Sequence, residues 1–160
     1  MPLQPDCTIL QAVESYIEQH PDDAEDIRQL HQRALAFLVE QSWLRRADEI
    51  LVAAIFPGVL GIFLAKVVVD FNEKRESIWL FVGDIPPAYI AASSCQTPAA
   101  ALEGYLGEMQ AWIDAVRSGE STEHLIPVNA AETSDAADAL EKRLDFLQER
   151  ILPLLKAPAR

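Results

Sequence analysis

Chemistry needs a nucleophile, a metal-binding set or a tuned acid–base pair, and this sequence offers few residues for any of them. Its three histidines, His20, His31 and His124, are nowhere at the one-turn spacing that puts two ligands on one helix face. His20 stands beside a helix-ending proline and His31 on or near an apolar stripe. Both read as solvated or structural side chains, so neither a metal nor a cofactor is expected. The two thiols are Cys7 and Cys95. Cys95 lies two residues ahead of a helix start, where the helix dipole favours a thiolate, although a loop cysteine among small residues is the plainer reading. There is no Gly-x-Ser-x-Gly elbow, no phosphate-cradling glycine loop and no Cys-x-x-Cys. Among carboxylates, Asp70 and Asp84 flank a hairpin whose turn, centred near Lys74, would set Asp70 near Ile78 and leave Asp84 several residues away. They are not placed to share a proton. Asp84 is expected to accept backbone N–H groups at the Gly83 bend, or to form with Tyr89 a polar spot on a binding surface. No catalytic residue is expected.

The elements that would position these residues are read from periodicity. Thr8 with Gln11 makes a capping box, and Ile9, Leu10, Val13, Tyr16 and Ile17 come after it at helical spacing until Pro21. Asp22, Asp23, Glu25 and Asp26 load the start of the next helix with the charge its dipole favours. The stripe Ile27, Leu30, Ala34, Phe37 and Leu38 continues through Leu44, Ala47, Leu51 and Ala54 with little change of phase. It predicts either one helix over 23–56 or a break near Gln41-Ser42 with Ser42 capping a third helix. Pro57-Gly58 ends these helices. Val59 to Phe71 reads as a strand with Phe63, Ala65, Val67, Val69 and Phe71 on one apolar face, and residues 72–76 as a charged hairpin loop.

Ser77 to Val82 returns antiparallel with bulk on both faces, Trp79 and Phe81 on one, Ile78, Leu80 and Val82 on the other. Such a strand expects cover on both sides and belongs inside a sheet. After Pro86-Pro87, residues 88–92 can form a third strand. Thr97-Pro98 opens a helix whose stripe is Leu102, Tyr105, Leu106, Met109, Trp112, Ile113 and Val116, closed by Gly119. A loop over 120–133, with an extended piece at His124 to Val128, leads to a last helix. Its seam is Leu140, Leu144, Leu147, Ile151 and Leu154, interrupted near Pro153. Trp43, Trp79 and Trp112 read as buried anchors. The fold class is α+β, a short antiparallel meander of about three strands against four or five helices, in a single domain over 1–160.

The charge narrows the function. Its net value of −12 disfavours nucleic acid and anionic membrane and favours a basic protein partner. Residues 1–41 hold 8 acids and 2 bases, 42–83 hold 5 and 5, and 84–160 hold 12 and 6, so the acidity lies in the helical ends. The uncharged stretch 50–65 is too short for a membrane span and is broken by Pro57-Gly58. Two cysteines make no disulfide framework, and Met1 to Asp6 is polar and proline-broken rather than signal-like. A reducing, cytoplasmic setting is expected.

The box Trp79-Leu80-Phe81-Val82-Gly83-Asp84-Ile85-Pro86-Pro87-Ala88-Tyr89 precedes a Thr97-Pro98 helix bearing Tyr105, Met109 and Trp112. Together, over roughly residues 62–118, they resemble a family of small bacterial proteins of unassigned function. The resemblance implies a compact α+β protein of the cytoplasm and supplies no catalytic residues. Two functions are expected. One is protein–protein binding, immunity-like or regulatory, through acidic surfaces including Asp22, Asp23, Glu25 and Asp26. The other is a small enzyme or ligand-binding domain with a pocket between the sheet and the Thr97 helix, near Asp84, Tyr89, Cys95 and His124. Self-association through the Leu140–Leu154 seam is compatible with either.

Overall fold

The computed structural model describes residues 10–69, 73–128 and 130–156; Cys7, Thr8, Asp70 and Phe71 lie outside them. The chain divides into two compact units, Met1–Pro98 and Ala99–Arg160. The class is α+β. In the first unit, strands β1 (Gln11–Ala12), β2 (Leu44–Phe56), β3 (Leu60–Val69), β4 (Arg75–Gly83) and β5 (Ala88–Ala91) form one antiparallel sheet in chain order. Helices α1 (Val13–Gln19) and α2 (Ala24–Val39) precede β2. The sheet thus has five strands among the described residues, where the periodicity predicts about three.

Most of that difference is β2. The helix ends at Val39, close to the expected break, and the amide of Gln41 caps it by donating to the Phe37 carbonyl at 2.9 Å. The next element is a strand, not a third helix capped at Ser42. The register against β3 skips Arg45, Asp48 and Ala53, each an extra residue of the β-bulge kind. Residues paired with the alternating β3 face Gly61, Phe63, Ala65, Val67 and Val69 are therefore Ile55, Val52, Ile50, Ala47 and Leu44. Three of the four intervals between them are three residues rather than two. A bulged strand has here imitated helical spacing.

Nearer the N-terminus, Gln11 is extended and paired with Val52, so helix α1 begins only at Val13 and Gln11 closes no capping box. In the β3–β4 hairpin Ile78 pairs with Ala65 and Arg75 with Val68. The hairpin is therefore centred ahead of Lys74, and Ile78 does not lie opposite Asp70.

Helix α2 lies across β2, β3 and β4. Its stripe Ile27, Leu30, Ala34 and Leu38 is buried with Val13 and Ile17 of α1 and with Val52, Phe63, Ala65, Val67, Ile78, Leu80 and Val82 of the sheet. This is the inner face. Gly61 permits the approach: a Cβ there would meet Leu30 and the Phe63 ring at 2.9–3.3 Å. On the opposite face Leu60, Ile62, Leu64, Trp79 and Phe81 are equally buried. The two-sided pattern of β4 matches its place between β3 and β5.

The second unit is a helical hairpin, α3 (Pro98–Ser118) and α4 (Ser134–Phe146), the latter continuing through a π-helical turn at Leu147–Ile151 into α5 (Leu152–Lys156). Arg117 at the end of α3 binds Asp138 and Glu141 near the start of α4, at 2.6 and 2.7 Å. Lys156 at the far end binds Glu103 near the start of α3, at 2.5 Å. The two helical rods are therefore antiparallel. Thr133 caps α4 by accepting the Ala136 N–H. Residues 124–128 form no strand.

Leu140, Leu144, Leu147 and Ile151 are buried as predicted, but Leu154 is 61% exposed and Leu155 is half-buried instead. The π turn, just upstream of Pro153, holds one residue too many for a regular helix and moves the stripe on by one. The C-terminal seam is thus taken up within the chain.

Gly83 ends β4 at φ +137°, and a Cβ there would collide with the Val59 carbonyl oxygen. The same oxygen accepts the Asp84 N–H at 2.9 Å. Gly83→Ala is expected to lower the unfolding free energy by about 2–4 kcal/mol, read by urea denaturation. A loss under about 0.5 kcal/mol would show that the bend relaxes freely.

Candidate functional site

The inner face of the sheet fixes the side-chain directions on β5. Tyr89 is opposite Leu80 and Ala91 opposite Ile78, so both project on the α2 side. There the Tyr89 ring meets Trp43 edge-on at 5.1 Å and Phe37 at 6.3 Å between centroids. Phe37 comes from the last turns of α2 and Trp43 from the residue before β2. Tyr89 remains 37% exposed and Val39 is 75% exposed. Aromatic side chains at this edge offer area with little rotamer entropy to lose, the composition of binding hot spots. By their apolar stripes Phe37 and Trp43 are expected in the core. Their half-buried state beside Tyr89 comes from the strand identity of β2, which its helix-like apolar spacing conceals.

Asp84 is exposed at the bend after β4, and its main-chain N–H donates to the Val59 carbonyl. Cys95 is half-buried, and its carbonyl accepts the indole N–H of fully buried Trp79 at 2.8 Å. Trp79 points to the face opposite Leu80 and Tyr89, so Cys95 and Tyr89 serve different faces of the sheet. His124 is exposed in the loop of the second unit. Asp84, Tyr89 and Cys95 are therefore not brought together around one cavity.

Two depressions flank α2 instead. One, of about 230 Å³, lies beside the Gly83 bend and is lined by Arg33, Phe37, Glu40, Val82, Ile85 and Pro87; Arg33 reaches the Gly83 carbonyl at 3.4 Å. The other, of about 340 Å³, lies beside α1 and β2, with Glu14, His31, Leu35, Asp48, Glu49 and Ile50 among its lining residues.

The acidic group is at the corner between the two helices. Asp22 and Asp23 occupy a 3₁₀ turn opened by Pro21, and Glu25 and Asp26 the first turn of α2. Asp22, Glu25 and Asp26 are exposed and Asp23 half-buried. Glu25 accepts from Gln29 at 3.2 Å, and no ion pair engages any of the four among the described residues. In and beside the strands β2 and β4 carboxylates are paired: Glu73 with Arg45, Asp48 with Arg46, Glu49 with Lys66, Glu76 with Lys74. Among the described residues no group of three or more His, Cys, Asp and Glu side chains is arranged to hold a metal ion, and no helix is long and apolar enough to cross a membrane.

His31 is half-buried against the Phe63 ring, 6.1 Å away. Burial pushes its imidazole pKa down, opposed by the nearby Glu14 carboxylate. The folded value thus lies below the unfolded one of about 6.5, and between them the unfolded chain binds more protons. Stability is expected to fall as pH drops from about 6.5 toward the folded value. His31→Gln should flatten that slope in denaturation curves taken across the window; an unchanged slope would assign it to other groups.

Comparison with protein-family models, with curated proteins and with solved structures returned no match.

Proposed function

We propose that this is a small acidic protein of the cytoplasm that acts by binding a basic partner protein, in an immunity-like or regulatory role, without chemistry of its own. The observation that carries the reading is the corner of Asp22, Asp23, Glu25 and Asp26. Among the described residues these carboxylates are left without ion pairs, while Asp48 and Glu49 on β2, Glu76 on β4 and Glu73 in the turn before it have them. Four carboxylates gathered at one corner, on a chain of net charge −12, make a field that reaches a positively charged surface before contact. Beside the corner, at the end of α1, the rings of Tyr16 and His20 stack 4.2 Å apart. The likeness of the Trp79–Tyr89 box to small bacterial proteins supports a bacterial setting, and the aromatic edge at Phe37, Trp43 and Tyr89 supplies apolar area beyond the charged rim.

The test is affinity capture and association kinetics with the wild-type chain and a variant carrying Asp22→Asn, Asp23→Asn, Glu25→Gln and Asp26→Asn. The association rate with the captured basic partner is expected to fall about tenfold or more, and the dependence on ionic strength to flatten. The variant should lose only about 1 kcal/mol of stability, the size of a helix-dipole effect. Binding that is indifferent to salt and to these four substitutions would overturn the reading.

A further inference from the structure

The edge strand β5 presents main-chain groups that complement themselves. The Ala92 N–H donates to the Ser77 carbonyl at 2.9 Å, in register with the pairs Ile78–Ala91 through Phe81–Ala88. Antiparallel ladders alternate, so Ala88 and Ile90 turn their N–H and C=O groups toward β4, and Tyr89 and Ala91 turn theirs outward. The Ala91 carbonyl accepts the Ser94 N–H at 3.1 Å. By the same alternation Pro87 turns its carbonyl outward, and it has no N–H to offer. The open edge therefore holds the N–H and C=O of Tyr89, the N–H of Ala91 and the C=O of Pro87, none of them bonded among the described residues.

We infer that this edge is where two copies of the chain pair, antiparallel about a two-fold axis at Tyr89. In that register Tyr89 faces Tyr89 of the second copy and exchanges two hydrogen bonds with it. Ala91 then faces Pro87 of the second copy, and its N–H meets the proline carbonyl, once on each side of the axis. The two groups that could not take part, the proline nitrogen and the engaged Ala91 carbonyl, face each other, so no donor is stranded. Neighbouring side chains fit the same arrangement. The half-exposed Tyr89 ring would lie directly opposite its symmetry mate, a cross-strand aromatic pair of the kind that stabilises sheets.

Charge points to the same edge. Residues 85–102 carry no charged side chain, and a chain of net charge −12 approaches its own copy with least repulsion along such a stretch. The far side of the sheet is guarded. There β1 pairs only with Leu51 and Val52, and the rest of β2 carries Arg45, Arg46, Asp48 and Glu49 with its extra residues, the features that discourage edge-to-edge pairing. β5 carries neither charges nor an extra residue, and only its length of four residues and Pro87 guard it.

Pairing at β5 shares Tyr89 with the aromatic edge of the basic-partner reading but not the acidic corner that carries it, and salt separates the two: screening weakens attraction to a basic partner but relieves repulsion between like copies. Sedimentation velocity across a dilution series, at low and high ionic strength, should show a monomer–dimer equilibrium that salt strengthens. Hydrogen exchange should show the Tyr89 and Ala91 amides protected in the dimer and losing that protection on dilution. Ala91→Pro removes an outward N–H without touching the β4–β5 ladder and should leave a folded monomer. Should that variant fail to fold, Tyr89→Lys keeps every main-chain donor, sets like charges across the axis and should also give a monomer. A wild type that stays monomeric at the highest concentration reached overturns the inference. So does a dimer that salt weakens, or one that persists in the folded variants.

Discussion

The first unit depends on the contact between Leu30 and Gly61. A glycine near the start of the central strand lets the helix stripe come down onto the sheet, so that Leu30 and the Phe63 ring share the space a side chain would fill. With that distance set, Ile27, Ala34 and Leu38 reach Val52, Leu80 and Val82, and the inner core closes without a polar side chain in it. Close packing of this kind leaves little slack: interiors near crystal density respond to a single methylene. The helix is therefore held along its length, and its two ends become fixed platforms, the acidic corner at one and the aromatic edge at the other.

What the sequence disclosed and what it hid divide along one physical line. β4 was legible because Trp79, Phe81, Ile78 and Leu80 are large and alternate without interruption, and α3 because Thr97-Pro98 and Gly119 mark its ends. β2 was hidden because its three extra residues stretch the inward spacing toward that of a helix; the β-branched run around Ile50 to Ile55 was the one contrary signal. The last helix was legible up to Ile151 and then slipped, since nothing in the local composition announces a π turn except the proline after it. Of the candidate site, the acidic corner was readable from charge alone. The aromatic grouping was not, because it joins residues 37, 43 and 89 through a strand whose spacing imitates a helix.

Electrostatics are organised by place. On β2, β3 and β4 the charges are interleaved and answer one another along the chain, as Arg46 does Asp48, or across strands, as Lys66 does Glu49, and such exposed pairs contribute little to stability. In the second unit Arg117 is held by two carboxylates at once, which raises its already high pKa and lowers that of Glu141. The acidic corner stands out against the balanced charges of β2, β3 and β4, and the edge at β5 carries no charge at all.

The wide turn at Leu147–Ile151 has a consequence for the end of the chain. One surplus residue rotates everything beyond it by about 100° around the helix axis, and it is from this rotated position that Lys156 meets Glu103. The clasp at the open end of the hairpin and the irregular coil before it are thus a matched pair: drawing the same residues into a regular helix would swing the lysine off its carboxylate and turn Leu154 inward in place of Leu155.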